Sequence, residues 1–356
     1  MDEVQRLLDQ LVAAGAPGAA GWVEDERGGL GAASGLADLE TGRPMVPGLR
    51  FRAGSVTKSL VATVVLRLVA EGRLSLSHTV ERRLPGILAY GDRVTVRQLL
   101  NHTGGVPNNW APVEQALYGS REGRLRAWAP EELVALVADQ PQAFRAGSAW
   151  SYSNTGYILL GLVVEAVTGH TLAEELGRGI FRPLGLRDSL LPGDPDIPPP
   201  TSSGYSLPLG PPGQVPDGPL LDLTVQNPSW AGAAGALVST LGDLTRFFRA
   251  LLGGRLLPPR LLTEMLPAVT VPSRSLPLPL YDQYGLGLLE VQTPAGRLVG
   301  NAGGIPGFLS IVLSTRDGRR QLGVMVNVLL APDPVYEAFI DGFRTLGVRL
   351  LSDERP

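Results

Sequence analysis

The sequence predicts an α/β protein of the α+β kind: an antiparallel sheet flanked by helices, with a mainly helical domain inserted between its two halves. Three observations predict it. An amphipathic helix and a hairpin open the chain, helices and long loops fill the middle, and a strand meander followed by a helix closes it. At the start, Val4, Leu7, Leu8, Leu11 and Val12 recur at helical spacing on one face, and Gly15 and Pro17 end that helix. Runs at 19–24 and 31–39, joined by Glu26-Arg-Gly-Gly29, read as the hairpin. From Ser55 to Glu71 apolar residues cover nearly every face, the pattern of an interior helix, with Gly72 as its stop.

Helices are then expected at 94–100, 130–139, 156–167 and 171–176, the last opened by a Thr171/Glu174 capping box. Residues 192–219 hold 10 prolines and 5 glycines and read as an excursion near a cleft. Helices at 241–252 and 258–266 precede strands near 284–292, 297–300, 308–314 and 321–328 and a last helix over 334–345. The spacing divides the chain into a sheet domain of residues 1–58 and 236–356 and a helical insert of residues 59–235, with the active site in the cleft between them.

Composition narrows the function. The chain has 356 residues, 31 basic and 34 acidic, with no basic run, so nothing in its charge calls for nucleic acid or an anionic membrane. It has no cysteine, and its three histidines, His78, His102 and His170, are too dispersed to ligate a metal together, so neither a metal nor another cofactor is expected. The acidic start at Asp2 and Glu3, and the lack of an apolar run long enough to span a bilayer, point to a cytoplasmic chain without an integral membrane segment. Oligomeric state is left open.

One departure from ordinary composition carries chemistry. The 31 basic residues include a single lysine, Lys58. A GC-rich genome explains thirty arginines but not the exception. Arginine serves as well as lysine at a surface ion pair, yet it cannot give up its proton, whereas a desolvated lysine can. Ser55 stands three residues earlier, on the same helical face one turn away, so a serine activated by lysine is one reading and a helix serine beside a snorkelling lysine is the other. Trp150-Ser-Tyr152-Ser-Asn154-Thr-Gly156 enters another apolar helix, where Asn154 could equally be an N-cap and Tyr152 a packed aromatic. Gly300-Asn-Ala-Gly-Gly-Ile-Pro-Gly-Phe308 joins two strand-like runs, and its glycines let a ligand approach the backbone.

Taken in order, these segments resemble the serine β-lactamase and penicillin-binding protein superfamily, in particular its class C β-lactamase-like branch of esterases, D-aminopeptidases and DD-peptidases. Phe51-Arg-Ala-Gly-Ser-Val-Thr-Lys58 resembles the Ser-x-x-Lys motif, Tyr152-Ser-Asn154 the Tyr-x-Asn motif, and Asn301-Ala-Gly303 takes the place of the Lys/His-x-Gly motif. Flanking stretches agree, among them Leu99-Leu-Asn-His-Thr-Gly-Gly-Val-Pro107 and Phe181-Arg-Pro-Leu-Gly-Leu186.

The resemblance implies a β-lactamase-like fold and an acyl-enzyme. Ser55 would be the nucleophile, Lys58 its base or proton partner, Tyr152 the second proton-transfer group, and Asn154 the residue orienting Lys58 and substrate. The amides of Ser55 and Gly304 would form the oxyanion hole, with Asn301, Ala302 and Gly303 binding substrate. His102 lies in a family loop and reads as structural. At Asn301 and Ala302 the chain lacks the cation and hydroxyl that hold a substrate carboxylate, which favours an ester or neutral amide over a β-lactam. The expectation is therefore an esterase, with a D-aminopeptidase, DD-carboxypeptidase or β-lactamase as alternatives, and a non-hydrolytic penicillin-binding sensor as an alternative of another class.

Overall fold

The computed structural model of the chain describes residues 1–209, 218–266, 269–272 and 281–351. Helix α1 (Asp2–Ala13) leads into strands β1 (Gly18–Asp25), β2 (Gly28–Asp38) and β3 (Arg43–Pro44). The C-terminal half supplies β4 (Val269–Thr270), β5 (Gln283–Tyr284), β6 (Leu289–Thr293), β7 (Gly296–Ile305), β8 (Phe308–Ser314) and β9 (Gln321–Val326). These form one antiparallel sheet of nine strands in the order β3-β2-β1-β9-β8-β7-β6-β5-β4, so the two chain ends meet where β1 pairs with β9.

Period-two alternation decides which helices cover which face. Leu309, Ile311 and Leu313 of β8 and Leu322, Val324 and Val326 of β9 pack with Val4, Leu7, Leu8 and Leu11 of α1. Val335, Phe339 and Phe343 of the last helix, α7 (Asp333–Leu351), complete that layer. Each such buried side chain contributes roughly 1.5–3 kcal/mol of transfer free energy. The opposite face carries α6 (Leu241–Leu252), whose Leu241 and Thr245 lie over Gly323 of β9. On the same face α2 (Thr57–Ala70) packs on β7 with α5 (Asn154–Thr168) against it and α4 (Pro130–Ala138) against α5; α2 and α5 are buried on nearly every side, as the uniform apolarity of their sequences requires.

Two expectations are corrected. Residues 300–305 are not a glycine-rich connection: β7 runs on through them to Ile305, in register with β8, and the turn is Pro306-Gly307, where Gly307 has φ +99°. The glycines misled because they disfavour strands in general, whereas here they permit contact. A Cβ at Gly300 would lie 1.9 Å from the Val312 carbonyl oxygen. The second correction is a helix the sequence did not announce, α3 (Trp110–Gly119). Pro112 and Gly119 bracket its only buried pair, Val113 and Leu117, so little periodicity shows, although proline is tolerated in a first turn. Of the proline-rich excursion, residues 210–217 lie outside the described residues. The rest is pinned beside the turn that carries Ser55, since the Arg50 amide donates to the Pro200 carbonyl (3.0 Å), and Tyr205–Ser206 pairs with Val328–Leu329.

Candidate active site

Ser55 sits in a one-turn 3-10 segment, Gly54–Val56, that runs directly into α2, so Lys58 follows it by one helical turn. Lys58 Nζ lies 2.9 Å from Ser55 Oγ, 2.9 Å from Asn154 Oδ1 and 2.6 Å from the Ala234 carbonyl. The last two can only accept, so they take two N–H bonds, and the third position of the nitrogen faces the serine. It holds either a proton donated to Oγ or a lone pair that accepts from it. Lys58 is 0% exposed, and burial holds its amine well below the usual lysine range.

Tyr152 donates from its hydroxyl to the same Ser55 Oγ at 2.7 Å. Burial raises its phenol above the usual range, opposed by the hydrogen bond to Ser55, so at neutral pH it keeps its proton. The amine and the phenol are thus pushed in opposite directions on either side of one hydroxyl, an arrangement that can supply a base and an acid. Lys58 Nζ also lies 4.7 Å from the centre of the Tyr152 ring.

The Tyr152-Ser-Asn154 segment is set by the start of α5. Ser153, not Asn154, is the N-cap, accepting from the Gly156 amide at 3.2 Å, which frees the Asn154 side chain to reach Lys58. Asn108 Oδ1 accepts from the Asn154 amide at 3.2 Å and steadies it from outside.

Strand β7 forms one wall of the site. Gly54, with φ +53°, packs so closely on it that a Cβ there would lie 2.9 Å from the Gly304 carbonyl oxygen and 3.1 Å from its nitrogen, while a Cβ at Gly303 would lie 2.0 Å from the Ala53 carbonyl oxygen. Glycine at both positions lets the Ser55 turn and the Gly304 amide come side by side. Gly303→Ala is expected to destabilise the protein by about 1–3 kcal/mol and to lower kcat about tenfold or more by separating them; thermal unfolding and steady-state kinetics check both.

Asn301, Ala302 and Gly303 line the cleft in front of Ser55, but the Asn301 side chain is bonded within the protein. Its Nδ2 donates to Ser59 Oγ (2.9 Å) and the Gly287 carbonyl (3.1 Å), and its Oδ1 accepts from the Ala302 amide (2.9 Å). The side chain therefore ties β7 to α2, and both of its N–H groups are already spent on the protein rather than offered to a substrate.

In front of Ser55 opens a cleft of about 490 Å³, lined by Trp110, Glu114 and Tyr118 of α3, by Trp230, and by Tyr281, Ala302, Gly304, Leu329, Leu330 and Tyr336 on the other side. Among the described residues lining it, Glu114 is the single charged side chain, and no arginine or lysine joins it. Burial raises the Glu114 carboxyl above the usual range, opposed by a hydrogen bond with Trp110. Sequence reasoning missed Glu114 because it missed α3, and it could not find the Ala234 carbonyl, since a backbone acceptor leaves no mark in residue types.

Fold and site together define the class: the chain belongs to the Beta-lactamase family, whose model matches residues 4–340. Esterase EstB of Burkholderia gladioli is 42% identical over 165 residues, which are 44% of this chain and 42% of the esterase, so the chain spans less than half of that relative's length. Among solved structures, a D-stereospecific amidohydrolase from Streptomyces sp. is 37% identical with a TM-score of 0.84, covering 95% of this chain and 97% of its own. D-amino acid amidase from Ochrobactrum anthropi SV3, complexed with L-phenylalanine amide, is 28% identical with a TM-score of 0.84, covering 98% of this chain and 97% of its own.

Proposed function

We propose that the chain is a serine hydrolase that forms an acyl-enzyme with the amide or ester of an amino acid or short peptide bearing a free amino group and an apolar side chain. The observation that carries this reading is Glu114, the single charge among the described residues lining the cleft. A half-buried carboxylate without a cation is unfavourable, and a substrate ammonium would complete the pair. The substrate carboxylate of a penicillin or a D-Ala-D-Ala peptide would meet no cation on the described cleft walls and would be repelled by Glu114. The aromatic and leucine walls suit an apolar side chain. The amidase and amidohydrolase named above, aligned over nearly their whole length, support an amide substrate, and the esterase supports an ester.

In this reading Ser55 Oγ attacks the carbonyl carbon as Lys58 Nζ takes its proton, and the amides of Ser55 and Gly304 receive the developing oxyanion. Tyr152 passes its proton to the leaving amine or alkoxide and takes back the one that Lys58 received from Ser55, so the acyl-enzyme is left with both groups as they began. Asn154 and the Ala234 carbonyl hold the lysine nitrogen in line. Water then attacks the acyl-enzyme by the reverse path and releases the acid.

The test compares an amino-acid p-nitroanilide, its N-acetyl counterpart, a short p-nitrophenyl ester and nitrocefin. The wild type is expected to favour the free-amine anilide over the N-acetyl one. Glu114→Gln is expected to lower kcat/KM for the free-amine anilide by about ten- to a hundredfold, the equivalent of a charged hydrogen bond of about 1.5–3 kcal/mol, while sparing the neutral ester. Equal use of both anilides, or a preference for nitrocefin, would overturn this reading.

A further inference from the structure

We propose that His102 is a positioning residue for Tyr152, holding the amides on both sides of it so that its hydroxyl stays on Ser55. The inference rests on the role given above to Tyr152 and goes beyond it, because His102 touches neither Ser55 nor the cleft.

His102 is 2% exposed and adopts φ +61°, a left-handed backbone uncommon for residues other than glycine, though asparagine, aspartate and histidine visit it more than the rest. That conformation turns its carbonyl and its side chain toward one segment. The carbonyl accepts from the Ser151 amide at 3.0 Å, and imidazole Nδ1 accepts from the Ser153 amide at 3.2 Å. Between these two anchors the Tyr152 ring lies against the imidazole, with centroids 4.4 Å apart. Tyr284 and Tyr157 close the other sides of the imidazole at 4.8 and 5.4 Å, and Trp150 meets it edge to face at 5.8 Å.

The bond from Ser153 requires a lone pair on Nδ1, so the ring is neutral with its proton on Nε2. Burial, with the Lys58 charge adding to it, keeps the imidazole from taking a second proton. An apolar residue of the same bulk would fill the space but leave the Ser153 amide unbonded inside the protein. A histidine that did no more than fill the core would not need a strained backbone or bonds to the two amides flanking a single tyrosine. The Tyr152 hydroxyl depends on this bracket because it stands at the far end of its ring, where any shift of the two flanking amides is carried to it.

The experiment measures kcat and KM on a p-nitrophenyl ester, with active sites counted by fluorophosphonate titration, in a cycle of His102 and Tyr152 variants. His102→Gly accepts the backbone angle but lacks the imidazole; it is expected to lower kcat per titrated site about a hundredfold with KM within about threefold, the scale of a misplaced catalytic group. His102→Asn tolerates the same backbone and offers an acceptor near the Nδ1 position, and it is expected to recover at least about tenfold of that loss. In a Tyr152→Phe background, His102→Gly should cost less than about threefold more, because the group it positions is gone. If His102→Gly does not fold, His102→Gln, whose acceptor is carried one bond too far out, runs the same cycle. Loss in Tyr152→Phe without loss in the His102 variants overturns this proposal alone, as does an equal additional loss in the Tyr152→Phe background or no recovery by asparagine. No loss in Tyr152→Phe overturns the functional reading, and this proposal with it.

Discussion

Lys58→Arg is expected to lower kcat/KM about 10²–10⁴-fold, the range of a lost general base, and to be nearly as damaging as Lys58→Ala. Arginine keeps the positive charge and can still donate to Asn154 Oδ1 and the Ala234 carbonyl, but it cannot release a proton near neutral pH. The variant thus separates a proton acceptor from a fixed charge. The wild-type amine sits well below the usual lysine range because it is buried, so kcat/KM should rise with pH as Lys58 loses its proton and then level off; the arginine variant should lack that rise. Stability follows with a definite sign. Between the lowered folded pKa and the unfolded value of about 10.4, the folded state binds fewer protons than the unfolded one. The contribution of Lys58 is therefore fully present above the unfolded value, declines as pH falls through this window, and is lost below the folded pKa. The stability advantage of a Lys58→Met variant should accordingly widen as pH falls through the window. An arginine variant with near-native kcat/KM would make Lys58 a purely electrostatic partner, and chemical denaturation across pH checks the linkage independently.

The reason Lys58 was visible in the sequence is the same reason it is hard to replace. A chain with arginine at every other Lys/Arg position draws the eye to its one lysine, and composition together with the family resemblance singled it out. Ser55, Tyr152 and Asn154 were legible by spacing because each stands just before or at the start of a buried helix, and uniform apolarity announces such helices. The inner strands were legible as β-rich runs and the flanking helices by periodicity, whereas the two-residue outer strands β3 and β4 left no signal. What escaped was structure made by close approach. The glycines of β7 look like a turn until Val312 and Ala53 are seen against them. Asn301 occupies a motif position that faces substrate by analogy, yet Ser59 and Gly287 take its N–H groups. Glu114 lies on a helix whose apolar face is only two residues wide, too little signal for a periodicity argument. His102 was read as structural, but its backbone angle and its hold on two amides exist only in three dimensions.

Ser55→Ala is expected to reduce turnover about 10⁴–10⁶-fold and to abolish labelling by a fluorophosphonate, the scale seen when an enzyme loses its nucleophile. No other residue can take over. The chain has no cysteine, and Lys58 is its only lysine, so a second serine with a lysine base cannot form. Removing the hydroxyl takes away the group on which Lys58 and Tyr152 converge, but both keep anchors of their own: Lys58 is held by Asn154 and the Ala234 carbonyl, and the amides on either side of Tyr152 by His102. Glu114 and the aromatic walls are untouched. Binding of a free-amine substrate should therefore survive in Ser55→Ala, measurable by calorimetry with the uncleaved amide, while chemistry does not. That pairing distinguishes a lost nucleophile from a lost fold. It also bears on the alternative of a non-hydrolytic sensor, since such a protein would be labelled at Ser55 and stay acylated, whereas a hydrolase recovers free serine at its turnover rate. Undiminished labelling of Ser55→Ala would move the nucleophile elsewhere, and a wild type that is acylated once and never released would leave the chemistry of attack in place while removing the hydrolysis of the acyl-enzyme.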